Sequence, residues 1–97
     1  VLEHNGIRID HGKHEVTVNG KMIDLTLKEY EVLALLMSRP GIVFTRDQLL
    51  SKVWEEEYTT ETRTVDVHIR TLRQKLQEEG AHIDTVRGVG YRYKEEL

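Results

Sequence analysis

The residues from Arg63 to Gln74 have types and spacings suited to one kind of chemistry, the recognition of hydrogen-bonding edges and anions along a groove. On a helix turning about 100° per residue, Arg63, Val67, Arg70, Thr71 and Gln74 share one face, opposite a narrow apolar stripe of Val65, Ile69, Leu72 and Leu76. An arginine fork fits guanine N7 and O6 or a phosphate, a glutamine amide reaches adenine, threonine serves either, and an isopropyl group covers a thymine methyl. Val67 is the informative member, because a bare apolar group among guanidiniums has a target in a major groove and none in water. A helix face that binds protein could also use an exposed valine, but would bring aromatic or leucine neighbours, which are missing here. An ordinary solvated face would mix in glutamates for i,i+4 pairs, and this one has none. His68 flanks the face and either donates to a phosphate or stands in solvent.

A second basic feature follows in "HIDTVRGVGYRY", which reads as strand, glycine-bracketed tip and strand, a wing over about residues 82–94 with Arg87 at its bend. A tip arginine suits a narrow minor groove, where negative potential concentrates. "GVG" without a strand-to-helix context is too weak for a nucleotide-binding loop. Trp54, the single tryptophan, packs the end of a short helix and has an indole N–H that needs a partner, a phosphate oxygen among the candidates. No catalytic residues are assigned. The carboxylates of "EEE" fall in a polar loop without a pocket to shift a pKa, so enzyme activity is not expected. His11 and His14 are spaced H-x-x-H across a turn with no third ligand, so no metal and no cofactor are expected.

The elements that position these groups are legible. "IRID", "HEVTV" and "KMIDL" alternate apolar and polar residues, and Asn19-Gly20 is a hairpin turn, so the N-terminal quarter is an antiparallel sheet. Thr26 and Glu29 form a capping box for a helix over about 27 to 38, stopped by Pro40-Gly41. Thr45 and Gln48 open a second, short helix ending near Trp54. The recognition helix spans about 62–78, with Thr62 as N-cap and Gly80 as its stop. A short helix, a longer one with a basic outer face and a flap make a helix-turn-helix with a wing.

Composition bounds the rest. The 97 residues make one domain with a single core, 1–97, and no apolar run suits a membrane. The absence of cysteine excludes disulfides and thiolate sites and suits a cytoplasmic setting. The first residue is not methionine, so the chain is expected to be an excised piece of something longer. The net charge of −3 opposes nucleic-acid binding at first sight, but it is unevenly placed: residues 1–61 carry seven Lys/Arg against eleven Asp/Glu, and residues 62–97 carry seven against six. A basic patch on an acidic body binds a polyanion in one orientation. The alternative is a winged-helix protein–protein interaction module.

The stretches "LTLKEYEVLALLMSRPGIVFTRDQLLSKVW", "TVDVHIRTLRQKL" and "TVRGVGYR" resemble the C-terminal effector domain of OmpR/PhoB-type response regulators over nearly the whole chain. The resemblance implies an α+β fold, a winged helix-turn-helix with an N-terminal four-stranded antiparallel sheet, three helices and a C-terminal hairpin wing. It implies sequence-specific binding of double-stranded, direct-repeat DNA in transcription regulation. The full-length protein would act as a homodimer, after a cognate histidine kinase phosphorylates a receiver domain lying outside this chain. It gives recognition-helix roles to Arg63, Thr64, Val67, His68, Arg70, Thr71 and Arg73, minor-groove insertion to Arg87, and backbone contacts to Trp54, Thr85 and Tyr91. Asp66 can accept from cytosine N4. Arg73 lies about 70° from the apolar stripe, which favours a phosphate or an acidic partner over a base edge. The loop carrying Glu55, Glu56, Glu57 and Tyr58 corresponds to the one that touches RNA polymerase in some members.

Overall fold

The computed structural model describes residues 1–55 and 61–95, beginning with four short strands: β1 (Leu2–His4), β2 (Ile7–Asp10), β3 (Glu15–Val18) and β4 (Lys21–Ile23). They pair antiparallel in chain order. Asn19 and Gly20 both take positive φ, 51° and 85°, the backbone that a two-residue hairpin between Val18 and Lys21 demands. Asn5 and Gly6 repeat the turn between β1 and β2. Ile7, Ile9 and Val16 face inward from the sheet, as the period of two requires.

Helix α1 (Leu27–Ser38) starts at the expected capping box: the Glu29 amide donates to Thr26 Oγ1 at 3.2 Å, and Glu29 Oε1 accepts from the Thr26 amide at 2.8 Å. Its Val32, Leu33, Leu36 and Met37 are fully buried. Helix α2 (Arg46–Val53) repeats the device with Thr45 and Gln48, at 3.0 and 2.9 Å, and ends at Trp54. Helix α3 (Arg63–Leu76) buries Val65, Ile69, Leu72 and Leu76, none more than 1% exposed. Each such side chain contributes roughly 1.5–3 kcal/mol by leaving water, which anchors α3 against the core and fixes which face looks out.

Both expected ends of α3 need correction. Thr62 has helical backbone angles and makes no side-chain cap; the first free amides, of Thr64 and Val65, bond instead to the carbonyls of Glu61 and Thr62, both at 3.0 Å. The helix stops at Leu76 because Gln77 turns to φ 55°, and Gly80 lies within the following 3-10 turn, Gln77–His82. A recognition helix of 62–78 is therefore about a turn too long in total, whereas the wing of 82–94 is close to the observed strands β6 (Ile83–Val86) and β7 (Gly90–Tyr93).

The wing does not stand alone. Phe44–Thr45 forms a two-residue strand, β5, that pairs with β7 and gives a second sheet of order β5-β7-β6. Gly90 makes this possible: a Cβ there would lie 2.0 Å from the Phe44 carbonyl oxygen. Its lack of a side chain serves sheet pairing. Phe44, Tyr91 and Tyr93 join the core from this sheet.

Candidate nucleic-acid interface

Helix α3 has three sides besides its buried one, and they are used differently. The outward strip carries Arg63, Val67, Arg70 and Gln74, all exposed, with Val67 at 52%. Among the described residues none of these four side chains has a hydrogen bond, ion pair or ring partner. Two guanidiniums, an amide and an isopropyl group are thus exposed side by side. Thr64 is half-buried beside Arg63.

The flank toward the wing is fully engaged. Asp66 Oδ1 accepts from Arg46 Nε at 2.8 Å and from the Tyr91 hydroxyl. Burial pushes the Asp66 carboxyl up, but the hydrogen bonds from Tyr91 and Arg46, and the Arg46 charge, hold it below the usual carboxylate range. Burial and the neighbouring carboxylate raise the Tyr91 phenol above its ordinary value. About two turns along, Arg73 donates through Nη2 to the Ile83 carbonyl and to Thr85 Oγ1, both at 2.7 Å. Its guanidinium lies 5.7 Å from the Tyr91 ring centroid, so its partners within the protein are a carbonyl, a hydroxyl and an aromatic face, where the sequence suggests a phosphate or an acid.

The flank toward α1 is engaged as well. Thr71 Oγ1 donates to Glu29 Oε2 at 2.5 Å, and Lys75 Nζ to Glu29 Oε1 at 2.7 Å. Burial of Glu29 opposes ionisation, yet the bonds from Lys75, Thr71 and the Thr26 amide, with the Lys75 charge, bring its pKa down to about 2. His68 Nδ1 is 2.8 Å from the Thr64 carbonyl oxygen, which only accepts, so that nitrogen carries the hydrogen. In the neutral ring Nε2 is then an acceptor for a base amino group, and it donates to a phosphate only when the ring is charged. Trp54 packs its ring edge-on to His68 at 4.9 Å with Lys28 Nζ 5.8 Å from its centroid, and its indole N–H donates to no described residue.

At the wing tip Arg87 and Val89 are exposed, Gly88 has φ 76°, and the Val89 amide closes the turn on the Val86 carbonyl at 2.9 Å. The Arg87 side chain has no partner among the described residues. Glu55 is exposed at the end of the described segment; Glu56, Glu57 and Tyr58 of the acidic loop lie outside the described residues. His11 and His14 pack on Tyr30, His14 stacked at 4.3 Å. Among the described residues no group of His, Asp and Glu could hold a metal ion, and no helix is long and apolar enough to cross a membrane.

Of the residues expected from sequence, Arg63, Val67, Arg70 and Gln74 share an exposed strip with Arg87 exposed on the wing, while Asp66, Thr71, Arg73, Thr85 and Tyr91 bond within the protein. Arg46 and Glu29 were missed as organisers. The capping box marked Glu29 only as a helix start, and nothing local to Arg46 announces a partner twenty residues on.

The family model for the transcriptional regulatory protein C terminus matches residues 20–93. The sensory transduction protein RegX3 of Mycolicibacterium smegmatis is 46% identical over 95 residues, covering 95% of this chain and 42% of RegX3. The DNA-binding domain of the response regulator AdeR, solved in complex with an intercistronic region, has a TM-score of 0.87 and 35% identity, covering 99% of this chain and 100% of that one. The Klebsiella pneumoniae RstA DNA-binding domain, solved with the RstA box, has a TM-score of 0.84 and 29% identity, covering 96% and 95%. The chain spans less than half the length of the curated relatives it matches.

Proposed function

The chain belongs to the family of OmpR/PhoB-type transcriptional regulatory C-terminal domains, and from that premise we propose that the outward strip of α3 enters the major groove while the wing meets the adjacent minor groove. The domain binds DNA in transcription regulation, as the output domain of a two-component response regulator; the family is one of regulators, not of enzymes. The observation that carries the residue assignment is the contrast within one helix. Arg63, Val67, Arg70 and Gln74 have no side-chain partner among the described residues, whereas Asp66, Thr71, Arg73 and Lys75 on the flanks are tied inward. An unpaired guanidinium keeps its full fork for a guanine or a phosphate.

In this reading Arg63 and Arg70 supply the forks, Gln74 an amide for adenine and Val67 a thymine contact. Trp54 lines one edge of the groove as a phosphate contact, with His68 beside it as an acceptor for a base amino group or, when charged, a donor to a phosphate, and Thr64 at the first turn. Arg87 reaches the minor groove. Asp66, Thr71, Arg73, Thr85 and Tyr91 hold these groups in place. The full-length protein acts in the cytoplasm as a homodimer on direct repeats, controlled by a histidine kinase through a receiver domain outside this chain. RNA polymerase meets the acidic loop around Glu55–Tyr58 through a basic surface of its own.

Selection of bound sequences from random duplex DNA tests the assignment. The unsubstituted chain should return a defined half-site, and Arg70→Ala should either lose about 10-fold or more of its discrimination at one guanine or, if Arg70 holds a phosphate, weaken all sequences alike. Failure to enrich any duplex would remove the reading.

A further inference from the structure

We propose that Asp66 and Tyr91 are positioning residues that fix the angle of the wing against α3, and so decide where Arg87 falls relative to the reading strip. The inference rests on the proposed placing of the wing at DNA, which it refines.

A single oxygen, Asp66 Oδ1, receives two donors from different elements: Arg46 Nε from the first residue of α2, and the Tyr91 hydroxyl from β7. The Arg46 guanidinium also lies 5.3 Å from the Tyr91 ring centroid. The other strand of the wing is held separately, because Arg73 donates to the Ile83 carbonyl and to Thr85 Oγ1 on β6. Asp66 and Arg73 are seven residues apart on one edge of α3, which is roughly 10 Å along the helix axis. The β5–β7 pairing anchors the base of the hairpin, and the two side-chain ties, this far apart along α3, hold its strands to the helix, so the wing changes its angle against α3 only by breaking a charge-assisted bond. The side chains of Arg46 and Asp66 are 31% and 42% exposed, so their part of the tie lies at the rim between α2, α3 and the wing, whereas the Tyr91 ring is buried and only its hydroxyl reaches the tie. The same exposure leaves base reading by Asp66 as the competing role.

The test is a double-mutant cycle in the 97-residue chain, measuring binding to the selected duplex with thermal melting alongside. Tyr91→Phe keeps the ring and removes one hydroxyl. It should weaken binding about tenfold in the unsubstituted background but less than about twofold when Arg87 is already alanine, since groups acting through one another do not add. Asp66→Asn should follow the same pattern with base preference unchanged. Equal losses in both backgrounds, no loss at all, or a lost cytosine preference in Asp66→Asn would overturn the assignment. So would unfolding of both variants, because the network would then hold the core and not the wing. If Arg87→Ala were itself silent, the wing's place at DNA would fail independently. Amide exchange over Val86–Val89 would then decide the tie: faster exchange in Tyr91→Phe sustains it, and unchanged exchange overturns it.

Discussion

In the proposed reading, Val67 is what would separate a reading face from a merely basic one. Its neighbours Arg63 and Arg70 suit any polyanion, but an isopropyl group that is 52% exposed gains only where an apolar target is offered. Val67→Ala should therefore weaken specific binding by about 1 kcal/mol or less and relax a thymine preference at one position. Titrations on paired duplexes with thymine or uracil at that position check this: the unsubstituted chain should distinguish them and the alanine variant should not. Equal affinity of the unsubstituted chain for both would remove the methyl contact. This residue was legible from sequence because it depends on helical spacing alone. The inward commitment of Thr71 and Asp66 was not, since their partners lie 42 and 25 residues away.

At the scale of elements, the apolar stripe and the two capping boxes fixed α1, α2 and the buried side of α3 within a residue or two. Periodicity failed where there was none to read. A strand of two residues, Phe44–Thr45, has no alternation, and the end of α3 depends on a positive φ at Gln77, a residue type that signals no stop. Glu29 ties α1 to α3 through Thr71 and Lys75, and its titration makes that tie measurable. Its folded carboxyl titrates at about 2 against 4.5 ordinarily, so the folded state binds the proton more weakly than the unfolded chain. The stabilisation, roughly 3 kcal/mol, is complete above the ordinary value and is lost as the pH falls from there toward the folded one. Glu29→Gln should lower stability by about 2 kcal/mol at neutral pH and flatten this acid limb in denaturant titrations. An acid limb as steep as that of the unsubstituted chain would show that the carboxylate contributes nothing.

On the scale of the whole molecule, the charge is the obstacle and the explanation. A chain of net charge −3 gains little from DNA in general, yet its N-terminal 61 residues carry the acidic excess while Arg63, Arg70 and Arg87 on α3 and the wing tip have no side-chain partner among the described residues. On the proposed reading the body should repel the phosphates that one face attracts, permitting one orientation and keeping nonspecific affinity low. This asymmetry was visible in the sequence. Which arginines are free was not, because it required knowing that Arg46, Arg73 and Arg92 find partners inside the protein. The most direct measurement is the salt dependence of binding to the selected duplex, for the unsubstituted chain and for a variant with Arg63, Arg70 and Arg87 all changed to alanine. Affinity should fall steeply with salt in the first, and the logarithmic slope should be shallower by about 2 to 3 units in the second, with folding intact by thermal melting. Equal slopes in the two proteins would contradict the claim that these arginines face DNA.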